Sequence, residues 1–550
     1  MTGQLPLGQG EFGSAERMSG GGVLVRALAA HGVDTAFGIP GTHNLEVYRH
    51  LEPYGIRHVT PRHEQGAGYA ADAYARVTGR PGLAITTTGP ALLNIAAAAG
   101  QAYSDSVPLL IVSPGMPLGH PRQSTGTLHE MRSQTEAMRG VTAFSHRASS
   151  VGEIEAAVAR AFTLFRSGRP RPVHIEVPLD LLEAHAPTGP ARLAPPVDVR
   201  RPDATAVREA AGALRRAGRR ALVLGGGARG AADACLALAE ELGAVVVTTA
   251  NGKGVVDECH PLSLGVSLHV PAVQKALADC DAVLAVGTEL AESDLWTAPP
   301  ATLGKTLIRV DVDPAQMYAG VPAQVGLVGD ARECLREVRR ALAAEPDGVS
   351  ADPDTPALVR ELLHERDAAT ASRDARWLPY LRVLREVCAQ DAVFTSDSAQ
   401  CCYYGALPHL PLGPSGRYLH PTGFGTLGYA LPAAVGVQAA RPERQVVALS
   451  GDGGLQFSVQ ELATAVQRQL PLPVVVFDNG GYGEIRDEMT ARGDRPTAVD
   501  QPPVDLPALC RAYGGAGERV TTPGAFAEAL ARALRTPGPT LITVPEETSA

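Results

Sequence analysis

Short runs rich in apolar residues recur along this chain, each closed by a glycine-rich or polar turn and followed by a longer stretch of helical periodicity. Such runs occupy residues 35–40, 82–87, 109–113 and 173–177, then 220–224, 244–247, 282–286 and 307–311, and finally 445–450 and 473–477. A strand that is apolar at every position, not at every second one, is buried on both faces, as in a parallel sheet covered by helices. The pattern predicts an α/β protein of three doubly wound parallel-sheet domains. Stretches rich in proline, alanine or aspartate at 185–203 and 346–355 read as linkers. The expected domains are therefore 19–184, 204–343 and 356–545, preceded by a polar, glycine-rich, disordered tail at 1–18.

The third domain carries the most specific chemistry. The run 445–450 delivers the chain into Gly451-Asp452-Gly453-Gly454; a helix is expected over 458–469, and the run 473–477 then ends at Asp478-Asn479-Gly480-Gly481. In a parallel βαβ unit both strand ends emerge on one edge of the sheet, so Asp452 and Asn479 can face one ion. Glycines allow backbone N–H groups to approach phosphate oxygens, and a helix N-terminus favours their charge. A carboxylate, an amide oxygen and a loop carbonyl are hard ligands suited to Mg²⁺, which takes its remaining oxygens from phosphate. An isolated Gly-Asp-Gly is usually only a turn; here Asn479 follows Asp452 by 27 residues.

Two further segments support that reading. In Thr60-Pro61-Arg62-His63-Glu64-Gln65-Gly66, a carboxylate follows a strand and opens a helix of small residues. Helix capping alone would account for an acid there. In Gly423-Phe424-Gly425-Thr426-Leu427-Gly428, a glycine-rich approach precedes an alanine-rich buried helix.

Together these segments resemble thiamine-diphosphate (ThDP) enzymes of the acetolactate synthase and benzoylformate decarboxylase group, and the likeness spans nearly the whole chain. It implies pyrimidine-binding, central and diphosphate-binding domains, in that order. It makes Asp452, Asn479 and the Gly481 carbonyl ligands of Mg²⁺, and Glu64 the partner of the cofactor's pyrimidine N1′. It sets Leu427 between the cofactor's two rings, with the Gly425 carbonyl accepting from the 4′-amine. Gln400, Gly451, Gly453, Gly454 and Tyr482 would complete the cofactor site. Asp478 departs from the group's Asn-Asn pair, but only the second Asn need ligate the metal. The group also implies active sites between subunits, hence a homodimer or a dimer of dimers. Some relatives hold FAD in the central domain. The cluster Gly225-Gly226-Gly227 is weak support for a nucleotide, and Gly265-Val266-Ser267-Leu268 replaces the flavin enzymes' Gly-Met-x-Gly, so FAD is not expected.

Composition narrows the setting. The chain has 550 residues, 45% hydrophobic, and a net charge of −9 that is spread along it rather than concentrated in blocks, which suggests neither nucleic acid nor an anionic membrane surface as a partner. Eight cysteines without a C-x-x-C pair fit a reducing, cytoplasmic setting.

Substrate choice rests on the surrounding loops. In the group, the loop Gly38-Ile39-Pro40-Gly41-Thr42-His43-Asn44 faces the reacting carbon, where His43 can relay protons and Asn44 can bind substrate. Leu128-His129-Glu130 places a carboxylate at or next to a position where acetolactate synthases carry glutamine, which would repel pyruvate but pair with a guanidinium. Glu484, five residues past Asn479, is a second acid, on the loop that closes over the substrate in the group. These features resemble the 5-guanidino-2-oxopentanoate (2-ketoarginine) decarboxylases. They imply non-oxidative decarboxylation of a 2-oxo acid, with substrate contacts from His129 and Glu130. An acetolactate-synthase-like carboligase acting on pyruvate is the alternative.

Overall fold

The apolar runs become the strands of three separate six-stranded sheets, and neighbouring strands within each run parallel. The computed structural model describes residues 17–121, 124–297, 302–344 and 350–546. Counting strands within each domain, the first and third sheets share the order 2-1-3-4-6-5, whereas the central sheet has the order 3-2-1-4-5-6. In each sheet the order reverses next to the first strand, and there the crevice beyond the carboxyl ends of the strands can hold a ligand.

The boundaries differ slightly from the linkers read in the sequence. Residues 1–16 of the expected tail lie outside the described residues. Arg17–Ser19, however, is a strand paired antiparallel with His185–Pro187, and Arg17 donates to the His185 carbonyl at 2.7 Å. Helix Thr355–Asp374 puts Val359 and Leu362 into the apolar cluster of the central sheet, although it follows the second linker. These pairings join residues far apart in the chain and leave no local periodicity.

The first and third domains share one core. Helix Glu64–Thr78 is capped by the His63 imidazole, which accepts from the Gln65 N–H, and it ends at Gly79 in the left-handed region. It lies along helix Ala430–Ala440 so closely that a Cβ on Gly436 would meet the Ala70 carbonyl at 2.0 Å. Buried among these helices, Asp72 accepts from Tyr429 Oη at 2.6 Å and Arg76 Nε at 2.7 Å, and Arg76 also reaches Asp105 at 2.8 Å. An uncompensated charge there would be costly; Arg76 and Tyr429 both serve Asp72 Oδ1, while Oδ2 is buried without a hydrogen-bond partner.

Candidate active site

The glycine-flanked acid closes the strand Val446–Gly451, and Asp452 opens the short helix Asp452–Leu455. The adjacent strand Leu472–Asp478 is in register, Gly451 opposite Phe477, so Asn479 emerges beside Asp452. The Asn479 N–H donates to Asp452 Oδ1 at 3.3 Å, while its own Oδ1 is buried and has no hydrogen-bond partner. Gly481 adopts a φ of +141°, and a Cβ there would meet the Val499 carbonyl at 2.1 Å. Gly453 faces the Tyr482 ring and the Gly481 carbonyl, where a Cβ would fit only tightly, at 3.1 to 3.3 Å. Burial raises the Asp452 pKa and Asp478 adds repulsion. A divalent cation would relieve both and would give the Asn479 oxygen its missing partner, so these residues fit Mg²⁺. Among the described residues no group of three His, Cys, Asp or Glu side chains could hold a metal, so a thiolate or imidazole site does not compete.

An acid that the motifs did not single out organises this crevice. Asp397 follows the first strand of the third sheet, Val393–Ser396; it accepts from the Gly428 N–H at 2.9 Å and from Ser450 Oγ at 3.1 Å. Its carboxylate occupies the space a Gly454 side chain would need. Burial pushes its pKa up to about 6. Asp397 thereby ties the Gly425–Gly428 turn, with Leu427 half-buried, to the metal loop. The only signal in the sequence is an acid at a strand end.

In the first domain, Glu64 stands half-buried at the start of its helix, with Oε2 accepting from Asn94 Nδ2 at 2.9 Å. The loops after the first and third strands of that sheet, Thr35–Gly38 and Gly82–Ile85, bring His43 and Thr88 together. His43 Nδ1 lies 2.5 Å from Thr88 Oγ1, which also reaches His129 Nδ1 at 3.3 Å, and the two rings meet edge to face. Burial, reinforced by His129, lowers the His43 pKa and favours the neutral ring. Neither Nε2 atom makes a hydrogen bond among the described residues. Asn44, by contrast, is fully buried and staples its own loop, accepting from the Gly41 N–H and donating to the Ile39 carbonyl. Glu130 likewise serves its own loop, accepting from the Thr125 and Gly126 N–H groups at 2.8 and 2.9 Å and lying 3.3 Å from His120 Nε2.

A second group of acids lies beside the metal loop. Helix Gly483–Ala491 carries Glu484 in its first turn and Asp487 one turn on. Gln400 Nε2 donates to both, at 3.0 Å to Glu484 and 2.8 Å to Asp487, and Tyr404 Oη donates to Glu484 at 2.8 Å. A Cβ on Gly483 would touch both the Asn479 and Gln400 amides, so the acids adjoin the metal loop. Asp487 and Tyr404 were not among the expected site residues; only the i, i+3 spacing from Glu484 could have suggested Asp487.

Within one chain, no hydrogen bond or ion pair among the described residues joins Glu64, His43 or His129 to Asp452, Asn479, Gln400 or Glu484. A cavity of about 860 Å³ opens where the central sheet order reverses, lined by Gly226, Arg229 and Thr288 of the central domain together with Arg76 and Asp105 of the first and Thr422 of the third.

Models of the thiamine pyrophosphate enzyme match all three domains: the N-terminal TPP-binding domain over residues 18–137, the central domain over 207–338 and the C-terminal TPP-binding domain over 400–544. The chain is 42% identical over 501 residues to the Pseudomonas aeruginosa protein named "Probable 2-ketoarginine decarboxylase AruI", covering 90% of this chain and 88% of that one. It is 32% identical to the large subunit of acetolactate synthase isozyme 2 of Escherichia coli, covering 96% and 95% of the two chains. It is also 32% identical to the acetolactate synthase large subunit of Parasynechococcus marenigrum, covering 96% and 88%. With three matched domains on three parallel sheets, and relatives aligned along almost its full length, the chain belongs to the thiamine pyrophosphate enzyme family.

Proposed function

We propose that this chain is a ThDP- and Mg²⁺-dependent decarboxylase of a 2-oxo acid with a cationic tail, 5-guanidino-2-oxopentanoate, forming 4-guanidinobutanal and CO₂. One observation carries the substrate assignment: Glu484 and Asp487 converge on a single amide NH₂ group beside the metal loop. An amide NH₂ presents the same planar N–H donors as a guanidinium edge, which pairs with carboxylates in bidentate fashion. The name of the Pseudomonas aeruginosa relative supports the same substrate.

Bound ThDP supplies a nucleophilic carbon and a sink for the electrons released with CO₂. Asp452, Asn479 and the Gly481 carbonyl hold Mg²⁺, with Gln400, Gly451, Gly453, Gly454 and Tyr482 around the diphosphate. Leu427 and the Gly425 carbonyl would hold the cofactor's thiazolium and aminopyrimidine ends. Glu64 holds a proton at the pyrimidine N1′, and Asn94 fixes one of its oxygens. His43, held through Thr88 to His129, moves a proton at the reacting carbon. Glu484 and Asp487 orient the guanidinium, while Glu130 and Asn44 shape the loops that bear His129 and His43.

The working unit is a homodimer or a dimer of dimers, each site pairing the first domain of one subunit with the third domain of another. Exposed apolar side chains mark both halves: Leu45, Leu93 and Leu128 on the first domain, Phe424, Phe457 and Ile485 on the third. Flavin has no part in this reading, and the visible absorbance of purified protein tests that. No helix among the described residues is long and apolar enough to cross a membrane. A cytoplasmic setting is supported by eight unpaired cysteines. The deciding experiment is a panel of 2-oxo acids assayed for CO₂ and for acetolactate. The guanidino acid should have the highest kcat/KM. Preference for pyruvate with acetolactate as product would replace this reading with a synthase.

A further inference from the structure

Glu461 opens the helix Glu461–Gln467, nine residues after Asp452, and is 1% exposed. No step outlined above uses it. Its Oε1 accepts from the Arg62 N–H at 3.0 Å and the His63 N–H at 3.1 Å; its Oε2 accepts from the Arg62 N–H at 3.1 Å and from Thr464 Oγ1 at 2.7 Å. Glu461 belongs to the third domain, whereas Arg62 and His63 are the two residues that lead into Glu64 of the first.

Among the described residues no ion pair compensates this carboxylate. The Arg62 guanidinium turns away to Gln467 Oε1 at 2.6 Å and to the Thr60 carbonyl. Burial accordingly pushes the Glu461 pKa up to about 6. Gly66 makes room for it, since a Cβ there would lie 2.5 Å from Oε1. A buried charge held only by peptide N–H groups and a hydroxyl is a poor way to stabilise a core. It is a good way to fix two consecutive peptide planes, because a charged acceptor gives shorter and stronger hydrogen bonds.

Those peptide planes set the direction in which Glu64 leaves the helix start. We infer that Glu461 is a positioning residue for Glu64, the third domain holding the catalytic carboxylate of the first at its working geometry. The inference rests on the proposed role of Glu64.

The test uses ThDP–Mg²⁺ holoenzymes of Glu461→Gln, Thr464→Val and Glu64→Gln, read by the rate of deuterium exchange at the C2 carbon of the bound cofactor. Glu461→Gln keeps the volume but turns an NH₂ group towards peptide donors. It should slow exchange and kcat together by about 10- to 100-fold, the usual cost of a small misplacement of a reacting group, with ThDP affinity and substrate KM nearly unchanged. Thr464→Val, which only loosens Oε2, should slow exchange less and provides the readout if Glu461→Gln does not fold. Exchange at the wild-type rate in the folded Glu461 variant, or in Thr464→Val if that variant alone folds, overturns the inference, even if thermal stability falls. Exchange at the wild-type rate in Glu64→Gln would instead overturn the role of Glu64.

Discussion

The Asn479 backbone donates to the Asp452 carboxylate at 3.3 Å, yet the Asn479 side-chain oxygen is buried without a partner. A buried acceptor left unbonded costs on the order of 1–3 kcal/mol, which the proposed metal ion would relieve. Asp452→Ala should weaken ThDP binding and make activity depend on high Mg²⁺. Titration of chelator-treated protein with metal and cofactor checks this, and full activity with both verifiably removed would exclude the metal role.

Glu64→Gln should leave the fold and ThDP binding intact and lower kcat by about 10²- to 10⁴-fold, the range for loss of a general acid–base group. Calorimetry of cofactor binding alongside steady-state assays separates the two effects.

The paired acids give a substrate prediction. A charge-assisted hydrogen bond is worth about 1.5–3 kcal/mol, so Glu484→Gln or Asp487→Asn should lower kcat/KM for the guanidino acid about 10- to 100-fold while sparing pyruvate. Glu130→Gln removes an acceptor from the 125–130 loop, so its effect should fall on all 2-oxo acids alike. A guanidino-specific loss in the Glu130 variant alone would move the recognition to that loop.

Subunit arrangement can be read by complementation. If Glu64 and Asp452 of one site come from different chains, refolding equal amounts of Glu64→Gln and Asp452→Ala subunits yields heterodimers with one intact and one doubly altered site. About one quarter of wild-type activity should return. None should return if each chain builds its own site.

Asp397 yields a pH prediction. Its folded pKa of about 6 lies above the ordinary carboxylate value of 3.8, so the folded state binds its proton more tightly. The stabilisation this confers is complete below pH 3.8 and is lost as pH rises through about 6. Asp397→Asn should flatten the pH dependence of unfolding in that window, as measured by denaturant titrations of cofactor-free protein.

What the sequence disclosed follows from how each part is held. Strands such as Val446–Gly451 and Ala282–Val286 are buried on both faces and read directly as apolar runs. Edge strands such as Phe144–Arg147, Val325–Val328 and Arg417–Leu419 are short and partly exposed, and their residues leave no such run. Asp452, Asn479 and Glu64 stand out in the sequence because each lies in a short motif of particular residue types, the first two at a set spacing. Thr88, Asp397, Glu461 and Asp487 act through partners on other loops, a relation that no local pattern encodes. The sequence also could not show that Glu130 is occupied by its own loop.

The lock between helices Glu64–Thr78 and Ala430–Ala440 joins the first and third domains of one chain into a single body. With Gly436 seated against the Ala70 carbonyl, Asp72 bonded to Tyr429, and Asp105 accepting from the Thr422 and Gly423 N–H groups across the seam, the two domains of one chain cannot swing apart without exposing buried charge. The segment from Gly480 to Gly493, which carries Glu484 and Asp487, has left-handed glycines at both ends, so its backbone can bend there without disturbing that body. In the proposed reaction the two acids that meet the guanidinium would move with this segment and not with the domain cores.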